Sequence, residues 1–341
     1  MASKRMIETI KKYGVMAAFS SENIAGYIDT FDLKDKSLLT ASYTGDSALN
    51  AISVGCKDVT IAYPRPIDKY YQYLKYAGIL TLTRDEYLEF FSMYKKDDLA
   101  KAWEEETLWD KFLTSIIKTK DGKSLPGNIV LEVLLSLPDL PRINYLWKKL
   151  KTGDNKGKFN KKSFDKMKPV LKALSEEAYD YFYMLFDEFS PREINNNLFD
   201  YFGQLDENNL IKANRYLSSS IAYDETKEKV KDVIPTFMKE EDITSESSKK
   251  YDNIWLPYSD ESIDFVERLE KVAKNLQDDG KMLASYVKYY VRNPEFYCWI
   301  KELEESGFTC DVEEIEPSLV PDRKNINNQN DSILVLTKKK H

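Results

Sequence analysis

Histidine is almost absent from this chain of 341 residues, which contains only His341. Nucleophiles that histidine activates, as in Ser-His-Asp or Cys-His systems, therefore have no internal base here. The three cysteines, Cys56, Cys298 and Cys310, lie far apart and form no CxxC pair, so the sequence predicts no ordinary zinc site. Proton transfer would have to use Asp, Glu, Lys or Tyr.

Long apolar segments are also missing. No window approaches 18 consecutive apolar residues, so no transmembrane helix is expected. The first residues, MASKRMIETIKKYG, contain no apolar stretch typical of a secretory signal. Together with the scattered cysteines, these features predict a cytoplasmic protein. The net charge of −7 argues against a surface coated by nucleic acid. No feature of the sequence indicates an oligomeric state.

Strand-like and helix-like segments alternate at the start of the chain. Ser37–Ser42 and Asp58–Tyr63 are short runs of apolar and β-branched residues. The first is followed by an amphipathic helix from Asp46 that ends at Gly55, and the second by a tyrosine-rich helix over Ile67–Leu80. This β-α-β-α order predicts a parallel sheet covered by helices.

The middle of the chain follows a helical period over most of its length. Residues 84–217 are therefore predicted to form a helical insertion, since such a segment is too long for a simple connection. Strand-like segments resume near Val233–Met238. Residues 1–83 and 218–341 are accordingly interpreted as the two halves of one Rossmann-like α/β domain, and 84–217 as an inserted subdomain.

A basic stretch lies inside the helical region. Lys148–Lys168 contains nine lysines and two aspartates. One interpretation is a solvated loop between helices. The other is peripheral contact with an anionic surface, either phospholipid or RNA. The preference for lysine over arginine gives little support to base recognition, so no specific nucleic-acid partner is expected.

The order of elements resembles a known fold. A strand–loop–helix with the sequence LLTASYTGDSALNAI opens the α/β region, and YDNIWL, a helix and a DDGKML segment follow the helical insertion. The last part contains a helix and two terminal strands. This order resembles the class I S-adenosylmethionine-dependent methyltransferase fold, in which the last strand of a Rossmann-like sheet is reversed.

Longer segments are similar to one family, the uncharacterised bacterial proteins related to the aminocarboxypropyl transferases of betaine-lipid synthesis. Members carry a strand that ends in G-x-S-G-D before a helix of A-L-N-A type. The segment Lys69–Phe91 is similar to the family's next helix and the segment after it, and YDNIWL also matches. The positions that match the first motif are Gly45, Asp46, Ala48, Leu49, Asn50 and Ala51.

The resemblance implies an S-adenosylmethionine site at the carboxyl ends of the strands. The positions that it assigns to this site are Ser42, Tyr43, Thr44, Gly45, Asp46, Tyr63, Arg65, Asp242, Pro257 and Tyr258. The sequence departs from the family pattern at three places. Ser42 replaces the first glycine of the loop, Tyr63 replaces the acidic residue that would bind the ribose hydroxyls, and Pro257 with Tyr258 replaces S-N. By the same resemblance, Ser21–Ile28 is expected to cover the mouth of the site.

Two functions are compatible with these features. The first is a divergent S-adenosylmethionine-dependent transferase that moves a methyl or an aminocarboxypropyl group to a small-molecule or lipid acceptor. Such a substitution depends more on positioning than on a strong base, so the scarcity of histidine is no objection. The alternative is a catalytically inactive protein, a pseudoenzyme that keeps the fold and serves as a binding or interaction module.

Overall fold

The fold is taken from a computed structural model of the chain. The structure describes residues 4–20, 22–92, 116–118, 124–126, 159–200, 207–245, 249–256, 265–285, 294–317 and 330–339.

A seven-stranded mixed sheet forms the centre of the fold, with the strand order β10-β11-β9-β8-β2-β3-β7. Its strands are β2 (Ser37–Ala41), β3 (Asp58–Tyr63), β7 (Thr236–Lys239), β8 (Tyr251–Leu256), β9 (Leu276–Ala284), β10 (Phe308–Pro317) and β11 (Asn330–Lys338). Strands β7, β3, β2, β8 and β9 run parallel, whereas β11 is antiparallel to both of its neighbours. Among the described residues, four short strands lie outside this sheet, namely β1 (Met16–Ala17), β4 (Ile116–Lys118), β5 (Ser124–Pro126) and β6 (Phe199–Asp200).

The strand order confirms the predicted fold class. Strand β2 lies in the middle of the sheet, with β3 and β7 on one side and β8 and β9 on the other. The direction of winding therefore reverses between β2 and β8, which is where open α/β sheets bind their ligands. The reversed strand β11 completes the Rossmann-like sheet of class I methyltransferases.

Helices cover both faces of the sheet. In the first part of the chain they are α1 (Lys4–Tyr13), α2 (Ile24–Ile28), α3 (Asp46–Ser53), α4 (Pro66–Thr81) and α5 (Arg84–Phe91). The later ones are α6 (Lys161–Leu174), α7 (Glu176–Glu188), α8 (Pro191–Asn197), α9 (Glu207–Ala213), α10 (Ser220–Asp232), α11 (Phe265–Ala273) and α12 (Pro294–Glu305). In the part of the chain that the structure describes, 3-10 helices lie at Arg215–Leu217 and Glu240–Thr244.

The described helices of residues 84–217 share a core with one face of the sheet. Phe159, Phe164 and Phe182 are fully buried in the same apolar cluster as Leu38 and Ile61 of the sheet. Helices α6 and α7 both pack on α4. A separate apolar cluster on the other face contains residues of α11 and α12. The aromatic residues of the helical region therefore help to bury the outer surface of α4.

Strand β7 begins three residues later than the sequence predicts. The expected strand is Val233–Met238, whereas the observed one is Thr236–Lys239. Helix α10 continues to Asp232, so Val233 still caps a helix. Pro235 has no N–H to donate to a sheet ladder. Helix and proline together delay the start of the strand.

Candidate functional site

The loop after β2 is a tight turn that its own serine closes. Gly45 has a φ of 79°, in the left-handed region that favours glycine. Its N–H donates to Ser42 Oγ at 2.8 Å, and the Ser42 N–H donates to the Ala62 carbonyl of β3 at 3.1 Å. The serine that replaces a glycine of the family pattern thus stabilises the turn through its side chain.

Gly45 also allows a close approach by helix α4. A Cβ at this position would lie 3.1 Å from Cγ and 3.2 Å from Oε1 of Gln72. The Gln72 amide donates to the Ser42 carbonyl at 2.8 Å. The space that this glycine leaves is therefore filled by the side chain of Gln72.

Asp46, the first residue of α3, is completely buried. Its Oδ1 accepts hydrogen bonds from Lys75 Nζ and from the Tyr216 hydroxyl, both at 2.8 Å. Its Oδ2 accepts from the Ser20 N–H at 2.7 Å. The resemblance assigns Asp46 to the cofactor, whereas in this structure its carboxylate joins four segments of the chain.

Lys75 is also completely buried, on the inner face of α4. Burial lowers the pKa of its ammonium, and the charge of Asp46 opposes that shift. The ammonium lies 4.0 Å from the ring centroid of Phe19 and 5.4 Å from that of Tyr71, where the faces of both rings attract a cation. These contacts support a charged pair in the interior.

Asn50 extends this polar cluster by one turn of α3. Its amide donates to Asn214 Oδ1 at 2.8 Å, and its Oδ1 accepts from the Arg215 N–H at 2.7 Å. Both asparagines are fully buried. Asp46 and Asn50, two positions of the family-like motif, therefore bind the segment 214–216 to α3.

An N-terminal segment crosses the carboxyl edge of the sheet, and we refer to residues 14–20 and 22–28 as the strap. The Tyr71 hydroxyl donates to the Ala18 carbonyl at 2.9 Å. At the other end of the strap, the carboxylate of Glu22 accepts from the Ser285 hydroxyl at 3.0 Å. The strap thus extends from the loop after β2 to the residue that follows β9.

Arg65 faces the strap as well. Its guanidinium forms two hydrogen bonds to the Asp68 carboxylate, at 2.6 and 2.9 Å, and a third to the Val15 carbonyl at 2.9 Å. Burial raises the pKa of Asp68, and the adjacent guanidinium opposes the rise. In this structure the cation expected at the cofactor site holds the strap to the start of α4.

A pocket opens where β3 and β7 end. It has a volume of about 630 Å³, and its lining includes Tyr63, Pro64, Glu240, Ile243 and Arg268. Arg268, on α11, donates to Glu240 at 2.9 Å. Tyr63 packs edge-on against Phe237, with ring centroids 6.4 Å apart. The pocket combines apolar and aromatic side chains with two ion pairs, Glu240 with Arg268 and Lys239 with Glu241.

The remaining predicted positions fall elsewhere. Tyr43 is half-buried and Thr44 is buried in the loop after β2. Asp242 lies on the 3-10 helix after β7 with its side chain exposed, and it is not among the residues that line the pocket. Pro257 and Tyr258 lie outside the described residues.

Sequence reasoning missed the residues that organise the loop. Lys75 carries a signal in retrospect, because it stands one turn from Tyr71 and one from Ile79 on the apolar side of a helix. A charge in that position is either paired or functional. Tyr216 and Ser20 carry no such signal, since only the tertiary fold brings them to Asp46.

Only part of the basic stretch can be described. Lys148 to Lys158 lie outside the described residues, and the rest leads into α6. There Lys166 pairs with Glu86, and Lys168 pairs with Asp165 at 2.6 Å.

In the described part of the chain, no helix is long and apolar enough to cross a membrane. The same residues contain no group of three or more potential metal ligands.

Comparisons with known proteins leave the family open. No protein-family model matches the chain, and neither does any curated protein. Matched solved structures include the O-methyltransferase TomG of Streptomyces achromogenes in complex with S-adenosylmethionine, with 10% identity, coverage of 36% of this chain and 57% of that one, and a TM-score of 0.24. The O-methyltransferase of Bacillus cereus in complex with S-adenosylhomocysteine has 11% identity, coverages of 40% and 60%, and a TM-score of 0.23.

A third match is phosphoethanolamine N-methyltransferase 2 of Haemonchus contortus, with 18% identity, coverages of 34% and 31%, and a TM-score of 0.23. The aligned part spans less than two thirds of each of these three chains. The class of fold therefore rests on the strand order of the sheet and not on these distant likenesses.

Proposed function

We propose that the protein is a divergent S-adenosylmethionine-dependent transferase that acts on a small-molecule or lipid acceptor. The observation that carries the proposal is the pocket at the carboxyl ends of β3 and β7, in a sheet with the strand order of class I methyltransferases. Ligands of open α/β sheets bind at this edge.

The residues of the pocket fit the nucleoside half of such a cofactor. The side chain of Pro64 and the ring of Tyr63 provide apolar surface for a purine, and the Glu240 carboxylate can accept hydrogen bonds from ribose hydroxyls. The loop Ser42–Gly45 fits the cofactor less well than the pocket does, because the Gln72 side chain fills the space beside Gly45. Both backbone groups of Ser42 are already engaged, its N–H with the Ala62 carbonyl and its carbonyl with the Gln72 amide.

The cofactor would supply a sulfonium whose attached carbon accepts a nucleophile, with the electron pair of the broken C–S bond going to sulfur. The protein's own contribution is positioning. The Asp46–Lys75 pair fixes the start of α3, and the strap covers the edge of the sheet. Glu22 and Ser285 place a carboxylate and a hydroxyl at the end of β9, on the side of the sheet away from the nucleoside pocket.

The transferred group follows from the product of the reaction. Methyl transfer leaves S-adenosylhomocysteine, whereas aminocarboxypropyl transfer leaves 5′-methylthioadenosine. Mass spectrometry of the spent cofactor, after incubation with candidate phospholipid or small-molecule acceptors, separates these two reactions.

Calorimetric titration with S-adenosylmethionine and S-adenosylhomocysteine tests the proposal. We expect saturable binding of both ligands, and unchanged binding in the control variant Glu267→Gln, whose exposed carboxylate on α11 pairs with Lys271 outside the pocket lining. Absence of heat at millimolar concentrations of both ligands would contradict a transferase of this kind.

One observation favours the second candidate, an inactive protein of the same fold. The Asp46 carboxylate is engaged by three groups of the protein, and the N–H of the strap residue Ser20 is one of them. If neither ligand binds, we infer a binding or interaction module. In such a protein the strap would cover the edge of the sheet permanently, and Gln72 would occupy the space beside Gly45.

A further inference from the structure

We propose that Glu240 binds the ribose hydroxyls of a purine nucleoside in the pocket between β3 and β7, in place of the carboxylate that the end of β3 lacks. The identity of the ligand rests on the proposed function. The site itself rests on the position, burial and pairing of Glu240.

The register of the sheet places Glu240 correctly for this role. Tyr63 and Lys239 are paired, so the next residues, Pro64 and Glu240, leave the sheet side by side. A carboxylate at the end of β3 would reach a ribose from one strand, and Glu240 reaches the same edge from the adjacent strand.

Burial distinguishes Glu240 from the adjacent Glu241. The side chains of Glu240 and Arg268 are 24% and 25% exposed, and their ion pair measures 2.9 Å. The side chains of Lys239 and Glu241 are 64% and 71% exposed. A pair that is mostly removed from water holds its geometry better than an exposed one. Arg268 is therefore a positioning residue that fixes the carboxylate of Glu240.

The walls of the pocket suit a flat, uncharged ligand. Ile243, a residue of the 3-10 helix, is buried, while Pro64 and Pro66 restrict the backbone beside Tyr63. A volume of about 630 Å³ is within the usual range for small-molecule sites, roughly 300–1,000 Å³. A purine between the tyrosine ring and the prolines would place its sugar near Glu240.

The balance of charge favours a nucleoside over a nucleotide. The lining contains two basic residues, Lys239 and Arg268, and two acidic ones, Glu240 and Glu241. Each basic group is already paired with one of these carboxylates. A phosphate would have to displace a carboxylate from its cation, so we expect adenosine 5′-monophosphate to bind no more tightly than adenosine.

The test compares adenosine with 2′,3′-dideoxyadenosine by calorimetry, on wild-type protein and on Glu240→Gln. We expect loss of the hydroxyls to weaken binding about tenfold or more on wild type, since a hydrogen bond to a charged group is lost. On Glu240→Gln the two ligands should bind almost equally, because the charged acceptor is gone. Arg268→Met should reduce the difference between them, and Glu267→Gln should preserve it.

The ligand comparison on wild type needs no variant, so it can overturn the assignment even if Glu240→Gln fails to fold. Equal binding of the two nucleosides, or binding of neither, would overturn the assignment. Diol-dependent binding of adenosine without binding of S-adenosylmethionine would keep the nucleoside site and reject the transferase. Binding of S-adenosylhomocysteine that ignores Glu240→Gln would keep the proposed function and reject the role of Glu240.

Discussion

Lys75 and Asp46 form an ion pair of 2.8 Å in which neither side chain is exposed to solvent. The pair joins α4 to the first residue of α3, directly after the loop that follows β2. A buried charge is costly unless it is paired and hydrogen-bonded. Asp46 meets this condition through Lys75, Tyr216 and Ser20, so the geometry of the loop depends on groups from distant parts of the chain.

Removal of one partner of this pair should be strongly destabilising. We expect Asp46→Asn or Lys75→Met to lower the free energy of unfolding by roughly 3–5 kcal/mol, because an uncompensated charge or donor remains in the interior. Urea denaturation measures the effect. Lys301→Ala, which breaks an exposed pair with Glu305 at 3.8 Å, is the control and should change stability by less than about 1 kcal/mol.

The double variant Asp46→Leu, Lys75→Met should lose less stability than the sum of the losses of Asp46→Leu and Lys75→Met measured separately. Both charges are then gone, but the Ser20 N–H and the Tyr216 hydroxyl have lost their acceptor. The free energy of unfolding of the double variant should therefore remain below that of wild type. Additive losses would show that the two side chains do not act as a pair.

The hydroxyl of Tyr216 can be tested separately from its ring. We expect Tyr216→Phe to destabilise the protein by about 1–3 kcal/mol, since one hydrogen bond to a buried carboxylate is lost while the apolar packing remains. Tyr297→Phe is the matched control, because Tyr297 is 64% exposed. Equal unfolding curves for the two variants would show that the contact with Asp46 contributes nothing.

The fold could be predicted from the sequence because its signals are local. Buried parallel strands such as Ser37–Ala41 and Asp58–Tyr63 are short apolar runs with turns after them. Helix α3 is amphipathic, and α4 begins with a proline in its first turn. Alternation of such segments predicts a parallel sheet without any knowledge of tertiary contacts.

The candidate site could be predicted only in outline. The edge of the sheet follows from the strand order, but the direction of each side chain does not. Asp46 and Tyr216 are 170 residues apart, and no sequence pattern links them. Glu240 and Glu241 are adjacent and chemically alike, and only the register of β7 and the position of Arg268 distinguish the half-buried one.

Gly45 meets two requirements, a positive φ and the close approach of Gln72. Comparison with a second glycine, Gly307, separates them. Gly45 and Gly307 both have positive φ, 79° and 99°, but a Cβ on Gly307 would meet nothing within 4 Å. Gly307→Ala therefore reports backbone strain alone, roughly 1–2 kcal/mol. Gly45→Ala should cost more, because its Cβ also meets Gln72.

Urea denaturation of both variants measures the difference. Adding Gln72→Ala to Gly45→Ala should recover part of the loss from the steric contact, although it also removes the hydrogen bond to the Ser42 carbonyl. Equal costs for the two glycine variants would show that α4 does not constrain the loop.

Cys56 gives a prediction about pH. Burial raises the pKa of its thiol from 9.0 to about 12. The thiol also donates to the Lys36 carbonyl at 3.1 Å, a hydrogen bond that a thiolate cannot make. Between pH 9 and 12 the unfolded chain loses this proton and the folded protein keeps it, so the protein is stabilised below pH 9 and loses that contribution as the pH rises.

Cys56→Ala should therefore show a shallower loss of stability than wild type between pH 8 and about pH 10.5, as measured by urea denaturation at each pH. In the folded wild type at pH 8, a thiol reagent should label the exposed Cys298 rapidly and Cys56 only after unfolding. Rapid labelling of Cys56 in the native protein, or identical pH profiles for the two proteins, would contradict a neutral, buried thiol at this position.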